Sequence, residues 1–248
     1  MLLVNKTAVI TGSNRGIGRV TVEIFAKQGA NIIACARRES EEFTEFIHKI
    51  ASQTGVTIQP IYADFNQALE VQAAVEVIIA TGMQVNVLVN NAGVASGGLF
   101  QLTSINSLKD VFEVNFYAQI QFSQGVSRYM ARFRNGSIIN IGSTAGLIGH
   151  AGTISYGSSK AALMYATKVM ATELGPFNIR VNAIAPGITK TEMLDQMDEK
   201  TREQQFKSSS LRRAADASEI ANVALFLASD LSTYVSGQVL RVDGGMTA

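Results

Sequence analysis

The chain has a single cysteine, Cys35, among 248 residues, so an internal disulfide and a thiolate metal cluster are both excluded. With only two histidines, His48 and His150, a histidine-rich metal site is also ruled out. Cys35 lies in the apolar run Ile32-Ile33-Ala34-Cys35-Ala36, where a buried, inert thiol is expected. Charge of one sign is lacking too. The 21 basic and 20 acidic residues leave a net charge of +1, which gives no electrostatic footprint for nucleic acid or an anionic membrane. No run reaches the roughly 18 to 20 apolar residues needed to span a bilayer. The opening residues, Met1 to Ile10, have neither the basic flank nor the cleavage site of a signal peptide and lead into an expected first strand. A cytoplasmic location is therefore expected. Prolines number three (Pro60, Pro176 and Pro186), and no proline-rich linker, low-complexity tract or repeat marks a second domain.

What remains is 47% hydrophobic, ample for one sizeable core. Short apolar runs at 7–11, 31–36, 57–63, 85–90, 137–142, 180–185 and 239–242 read as strands. Their continuity in Val and Ile favours parallel strands covered on both faces. Helical spacing fills 17–28, 40–53, 67–80, 106–133, 153–174 and 217–228 between them. The alternation predicts one α/β domain over residues 1–248. It is a doubly wound parallel sheet of about seven strands with helices on both faces. A polar stretch, 190–213, interrupts the alternation, and an insertion around 188–213 is expected to cover a pocket.

Two motifs carry chemistry. In Thr11-Gly12-Ser13-Asn14-Arg15-Gly16-Ile17-Gly18 a strand passes through glycines into a helix. Glycine lets the backbone approach a pyrophosphate, and the helix N-terminus offers free N–H groups and partial positive charge. After the second strand, where a carboxylate would hold the ribose hydroxyls of NAD, the chain has Ala36, Arg37 and Arg38. Guanidinium groups pair with the 2′-phosphate of NADP, and Arg15 is placed to close on it from the other side. The plain alternative is that Arg37 and Arg38 only solvate a strand end. The second motif is Tyr156-Gly-Ser-Ser-Lys160, with Ser143 thirteen residues upstream of the tyrosine. Positions i and i+4 share a helix face, so Lys160 is expected to lower the Tyr156 pKa from about 10 and make it a proton donor near neutral pH. Together the motifs predict a nicotinamide-dependent oxidoreductase. Each residue has a structural alternative: Tyr156 and Lys160 as a surface pair, Ser143 as a helix cap, Asn115 as a solvent-facing helix residue.

Further along stand Asn90-Asn91-Ala92-Gly93, Asn115 in Val114-Asn115-Phe116, Pro186-Gly187 and Val242-Asp243-Gly244-Gly245. All of these in order, across essentially the whole chain, resemble the short-chain dehydrogenase/reductase family with its Rossmann-type fold. Stretches such as Phe226-Leu-Ala-Ser-Asp230 and Pro186-Gly-Ile-Thr-Lys-Thr-Glu-Met193 look most like its bacterial 3-oxoacyl-acyl-carrier-protein reductase group. The resemblance implies that Tyr156 is the general acid and Ser143 orients the carbonyl. Lys160 would tune Tyr156 and hold the nicotinamide ribose, and Asn115 would fix a water linking Lys160 to solvent. Asp64 and Phe65 would contact the adenine side, though Asp64 also suits a helix cap. Asn91, Ala92 and Gly93 would line the coenzyme, while Pro186, Gly187, Ile188 and Thr191 wrap its nicotinamide end. Implied as well are NADPH, a place in fatty acid biosynthesis, a carbonyl substrate free or carried on acyl carrier protein, and a homotetramer. Apolar residues on several sides of the helices at 106–133 and 153–174, among them Phe112, Phe116, Ile120, Met164 and Val169, agree with paired subunits. Arg128 stands at one carrier-docking position of the group, whereas Thr172 stands where a second basic residue is expected. Asn86 occupies a position where the group commonly has aspartate, and His150 lies among substrate-contacting positions. The competing readings are a reductase of another small ketone, sugar or polyol, and a dinucleotide sensor that binds without turnover.

Overall fold

A computed structural model describes residues 1–195 and 199–247. Residues 196–198, inside the expected covering insertion, lie outside the described residues. Seven strands form a single parallel sheet in the order β3-β2-β1-β4-β5-β6-β7. They are β1 (Thr7–Thr11), β2 (Asn31–Ala36), β3 (Ile58–Tyr62), β4 (Val87–Asn90), β5 (Gly136–Ile141), β6 (Ile179–Pro186) and β7 (Val239–Val242). The sequence explains the order of burial. The central strands Thr-Ala-Val-Ile-Thr (β1) and Val-Leu-Val-Asn (β4) are buried at every position, whereas β3 and β7 at the edges are only partly so. Pro60, which cannot donate to a ladder, falls in edge strand β3.

Alternate residues of the strands feed two main cores, and Ala183 and Ala185 of β6 form a small third cluster with Met164. Ala8, Ile10 and Ile32 pack beneath Val22 and Phe25 of α1 (Gly16–Lys27), Phe43 and Ile47 of α2 (Glu41–Thr54), and Ile220 and Leu227 of α9 (Ala217–Ala228). Val9, Ile33 and Leu88 face Val71 and Ile78 of α3 (Ala68–Ala80) and Phe122 and Met130 of α5 (Ala118–Ala131). Local signals set the helix ends. Ser40 Oγ accepts the Phe43 N–H at 3.3 Å to open α2, and Gly55 at φ 73° closes it. The remaining helices are α4 (Ile105–Phe112), α6 (Ile154–Leu174), α7 (Glu192–Asp195) and α8 (Glu199–Ser208).

The strand and helix expectations hold to within two residues except in one place. The continuous helix expected over 106–133 is divided by a π-helical turn, Glu113–Tyr117, between α4 and α5. Its cause is tertiary and lies at Asn115, described below. The order of strands reverses between β1 and β4, and the crevice at their C-terminal ends is where open α/β sheets bind ligands. The loops after β1, β4, β5 and β6 converge there. No helix among the described residues is long and apolar enough to cross a membrane.

Candidate active site

The phosphate loop leaves β1 with Gly12 at φ 65° and turns into α1 with Gly16 at φ 53°, both conformations that favour glycine. Gly18 is required for a different reason: a Cβ there would lie 2.2 Å from the Gly12 carbonyl oxygen. Arg15 occupies the N-cap of α1 without a side-chain cap, so among the described residues no side chain satisfies the first N–H groups of the helix. Open backbone donors, helix polarity and absent side chains suit a dinucleotide pyrophosphate. Arg37, Arg38 and Glu39 are exposed just past β2.

Not every residue of the motif is free to contact a ligand. Ser13 is fully buried, its hydroxyl donating to Ile10 O at 2.6 Å and its N–H to Cys35 O at 2.9 Å, so it shapes the loop. Asn14 lends its carbonyl to Arg19 Nη1 at 3.3 Å, and Ile17 its carbonyl to Thr21 Oγ1 at 2.7 Å. Asn91 is likewise structural through its side chain, since Nδ2 donates to Thr11 O at 2.9 Å and Gly12 O at 3.1 Å. Thr11 and Gln119 were not singled out in the sequence. The Thr11 hydroxyl accepts the N–H groups of Asn91 and Ala92, both at 2.9 Å, and so ties the ends of β1 and β4 together. Gln119, fully buried on α5, donates to Ala92 O at 2.8 Å and Val114 O at 3.1 Å. Thr11 ends an apolar strand and Gln119 stands among other polar residues of a helix, so neither position signals its contacts in the sequence.

Asn115 explains the π-turn. Its Oδ1 accepts the Val94 N–H at 2.8 Å, and its Nδ2 donates to Val94 O at 2.9 Å and Ser159 Oγ at 3.0 Å. This two-way clamp on a backbone residue of another loop, made by a fully buried asparagine, outweighs the regular helical ladder. Gly93 completes the junction: a Cβ on it would lie 3.2 Å from Asn115 Oδ1 and 3.3 Å from Lys160 Nζ.

Ser143 follows β5 and caps a 3-10 turn, Thr144–Gly146, its Oγ accepting the Ala145 N–H at 3.1 Å. The cap uses an acceptor site and leaves the hydroxyl proton available. Tyr156 and Lys160 come from the start of α6. Lys160 is 3% exposed, and its ammonium donates to Ile141 O at 2.8 Å. Burial pulls its pKa down from 10.5 to about 8. The ammonium stands 6.0 Å from the centre of the Tyr156 ring.

The expected fall in the Tyr156 pKa does not occur in the protein alone. Burial of the phenol raises it, and the hydrogen bond with Ser143 opposes that rise without overcoming it. The sequence argument counted the cation and omitted the burial that the same helix face imposes. Tyr156 therefore holds its proton firmly at neutral pH, the state a proton donor requires.

The other expected contacts are distributed around the crevice. Asp64 Oδ1 accepts the Asn66 N–H at 2.9 Å, a turn that introduces α3, and Phe65 packs on Phe122 with ring centres 5.4 Å apart. Pro186 ends β6 and accepts from the Thr144 hydroxyl at 3.2 Å. Gly187 crosses Asp243, whose Cα a Cβ would approach to 2.8 Å. Ile188 O accepts the Ala215 N–H at 2.9 Å. The Thr191 methyl would sit 3.2 Å from a Cβ on Gly16, so this segment reaches the phosphate loop. Arg128 and Thr172 are exposed, the Thr172 hydroxyl donating to Lys168 O at 3.1 Å. Asn86 has a structural role: its Oδ1 accepts the Thr7 N–H at 2.9 Å where β1 starts. His150 is half-buried, and its carbonyl accepts the Thr153 hydroxyl at 2.7 Å. No cluster of three or more potential metal-binding acids, histidines or cysteines occurs among the described residues.

Comparison with known proteins gives the arrangement its context. Residues 12–247 match a family described as enoyl-(acyl carrier protein) reductase. The chain is 37% identical over 246 residues to a 3-oxoacyl-(acyl-carrier-protein) reductase of Thermotoga maritima, covering 99% of each. It is 38% identical over 245 residues to a protein of the same name from Chlamydia trachomatis, covering 99% of this chain and 98% of that one. A crystal structure of a 3-oxoacyl-(acyl-carrier protein) reductase from Brucella melitensis superposes with a TM-score of 0.91 at 29% identity. It covers 99% of this chain and 93% of that one. Similarity over nearly the full length, with the phosphate loop and the Ser143, Tyr156 and Lys160 cluster at the C-terminal ends of the strands, means that the chain belongs to the short-chain dehydrogenase/reductase family of nicotinamide-dependent oxidoreductases.

Proposed function

We propose that the protein reduces the ketone of a 3-oxoacyl thioester, carried on acyl carrier protein, to the secondary alcohol with NADPH. The observation that carries this reading is the convergence of a protonated Tyr156, a hydroxyl proton on Ser143 and the buried ammonium of Lys160 beside an arginine-bearing coenzyme edge. When bound, the coenzyme supplies the hydride. Ser143 donates to the carbonyl oxygen and holds it beside Tyr156. As negative charge develops on that oxygen, the Tyr156 hydroxyl proton passes to it, and the Lys160 ammonium stabilises the phenolate left behind. Asn115 fixes the Val94 backbone next to Gly93, and its Oδ1 retains a lone pair to hold the water that returns a proton toward Lys160. Gly12, Gly16, Ile17 and Gly18 receive the pyrophosphate, while Arg15 and Arg37 receive the 2′-phosphate. Asp64 and Phe65 border the adenine. Ala92 and Gly93 line the centre, and Pro186 to Thr191 border the nicotinamide end.

One observation favours a second substrate. The exposed residue Thr172 contributes no charge at a position where a basic group would steer an acidic carrier, which suits a free ketone, sugar or polyol. Loss of reduced-nicotinamide absorbance separates these readings when NADPH and NADH are compared on acetoacetyl thioesters, crotonyl thioesters and simple ketones. Fast NADPH oxidation with the 3-oxo thioester is the expected result. Turnover confined to other ketones moves the substrate, turnover of the crotonyl thioester alone removes carbonyl reduction, and silence throughout favours a dinucleotide sensor.

We also propose a homotetramer. Met164 belongs to the core, but Tyr165 and Val169 on α6 and Tyr117 on the π-turn are exposed apolar surface. Light scattering is expected to return four times the 26.6 kDa chain mass, and a monomer at working concentration overturns the assignment.

A further inference from the structure

Arg15 is the phosphate-loop residue assigned above to the coenzyme 2′-phosphate, yet its guanidinium already has a partner on the chain. Its Nε lies 3.4 Å from Oε2 of Glu192, the first residue of α7. The neighbouring pair makes the same approach, with the Thr191 methyl against Gly16. Two consecutive residues of the covering segment thus meet two consecutive residues of the phosphate loop. Just before them, the segment is anchored independently. Lys190 N–H donates to Ala215 O at 2.8 Å, and Lys190 Nζ pairs with Asp216 Oδ1 at 2.9 Å. The start of the segment is therefore held by contacts that do not involve Glu192.

The chemistry of the contact makes it exchangeable. Arg15 and Glu192 are 62% and 56% exposed, and the carboxylate meets the guanidinium through one nitrogen at the long end of the ion-pair range. A phosphate monoester carries close to two charges near neutral pH and engages a guanidinium fork through two parallel hydrogen bonds. A ribose hydroxyl offers neither. We propose that Glu192 is a specificity-determining residue that competes with the 2′-phosphate of NADPH for Arg15. It thereby lowers the affinity for NADPH while leaving that for NADH nearly untouched. This inference rests on the NADPH reading above. On this account NADPH separates Arg15 from the covering segment, and NADH leaves the two joined.

Direct titration tests it, using the fluorescence of the bound reduced nicotinamide in a chain without tryptophan. The proteins are wild type, Glu192→Gln, Arg15→Gln, Arg37→Gln and the Arg15→Gln/Glu192→Gln double variant. Glu192→Gln is expected to tighten NADPH by about two- to fivefold, the span for one exposed ion pair, with NADH shifted by clearly less. The gain is expected to vanish in the Arg15→Gln background. An equal shift for both coenzymes, no shift, or a gain that persists without Arg15 overturns the competition. If Arg15→Gln and Arg37→Gln leave the NADPH to NADH affinity ratio unchanged, the coenzyme assignment falls and the competition with it. If those two variants lower the ratio and Glu192→Gln does nothing, only the role of Glu192 falls.

Discussion

Replacing Tyr156 with phenylalanine is expected to lower the rate of carbonyl reduction by about 10²- to 10⁴-fold, the range for removing a positioned general acid. Coenzyme affinity is expected to stay within about twofold, because the change deletes one oxygen and leaves the helix that carries it intact. The Tyr156 carbonyl still accepts from Ser159 Oγ at 2.8 Å, and Ser159 still accepts from Asn115. Gly157, the next residue, still packs against the Ala145 carbonyl, which a Cβ would approach to 2.4 Å. None of these contacts involves the phenol. Single-turnover absorbance together with coenzyme titration separates chemistry from binding. If the phenylalanine variant kept more than a tenth of the wild-type rate, another group would have to be the proton donor. The direction of the Tyr156 pKa sharpens the expectation. A phenol held protonated by burial can donate at neutral pH without preparation, whereas the reverse reaction must first remove that proton.

Much of this arrangement was legible in the sequence, for reasons that differ from residue to residue. The sheet was, because strands such as Thr7–Thr11 are apolar at every interior position, and only a parallel strand covered on both faces tolerates that. The glycine loop was, because Gly12, Gly16 and Gly18 are fixed by backbone geometry alone. The break at Glu113–Tyr117 was not. It is made by Asn115 clamping Val94, twenty-one residues away in the chain, and apolar periodicity carries no trace of such a contact. Ser13 illustrates a different failure: it stands in a ligand-binding motif but spends both its hydroxyl and its N–H on the protein. The sequence put Tyr156 and Lys160 on one helix and misjudged the titration of Tyr156. Spacing shows which groups share a face but not how deeply that face is buried. Glu192 lay in a polar stretch expected to cover a pocket, and only the fold brings it to Arg15.

Lys160→Met is expected to abolish activity and at the same time make the protein harder to unfold. Lys160 is buried, and its pKa lies at about 8 in the folded protein against an ordinary value of 10.5. Below pH 8 the folded state must carry a buried ammonium, at a cost of about 3 kcal/mol relative to the solvated side chain of the unfolded chain. Methionine fills the same stem volume without the charge. It leaves the Ile141 carbonyl without its 2.8 Å donor, which offsets the gain by about 1 kcal/mol. The net expectation is about 2 kcal/mol of added stability at pH 7, or roughly 4 to 8 °C in Tm for a chain of this size. The sign of the pH dependence follows from the same pKa. Because it is depressed on folding, the unfolded chain binds more protons between about pH 8 and 10.5, so the contribution of Lys160 to stability improves as pH rises through that window. The methionine variant lacks that contribution, so its advantage should shrink steadily above pH 8 and be largely gone near pH 10.5. Melting curves of both proteins at pH 7 and pH 10 decide the matter. A less stable variant at pH 7 would mean that the bond to Ile141 outweighs burial, and a pH-independent difference would mean that the ammonium does not titrate in this window. The expected pattern has a direct mechanistic reading. A charge that costs the fold stability at neutral pH sits where the phenolate of Tyr156 would need it, and the wild-type reduction rate should accordingly decline above pH 8 as that charge is lost.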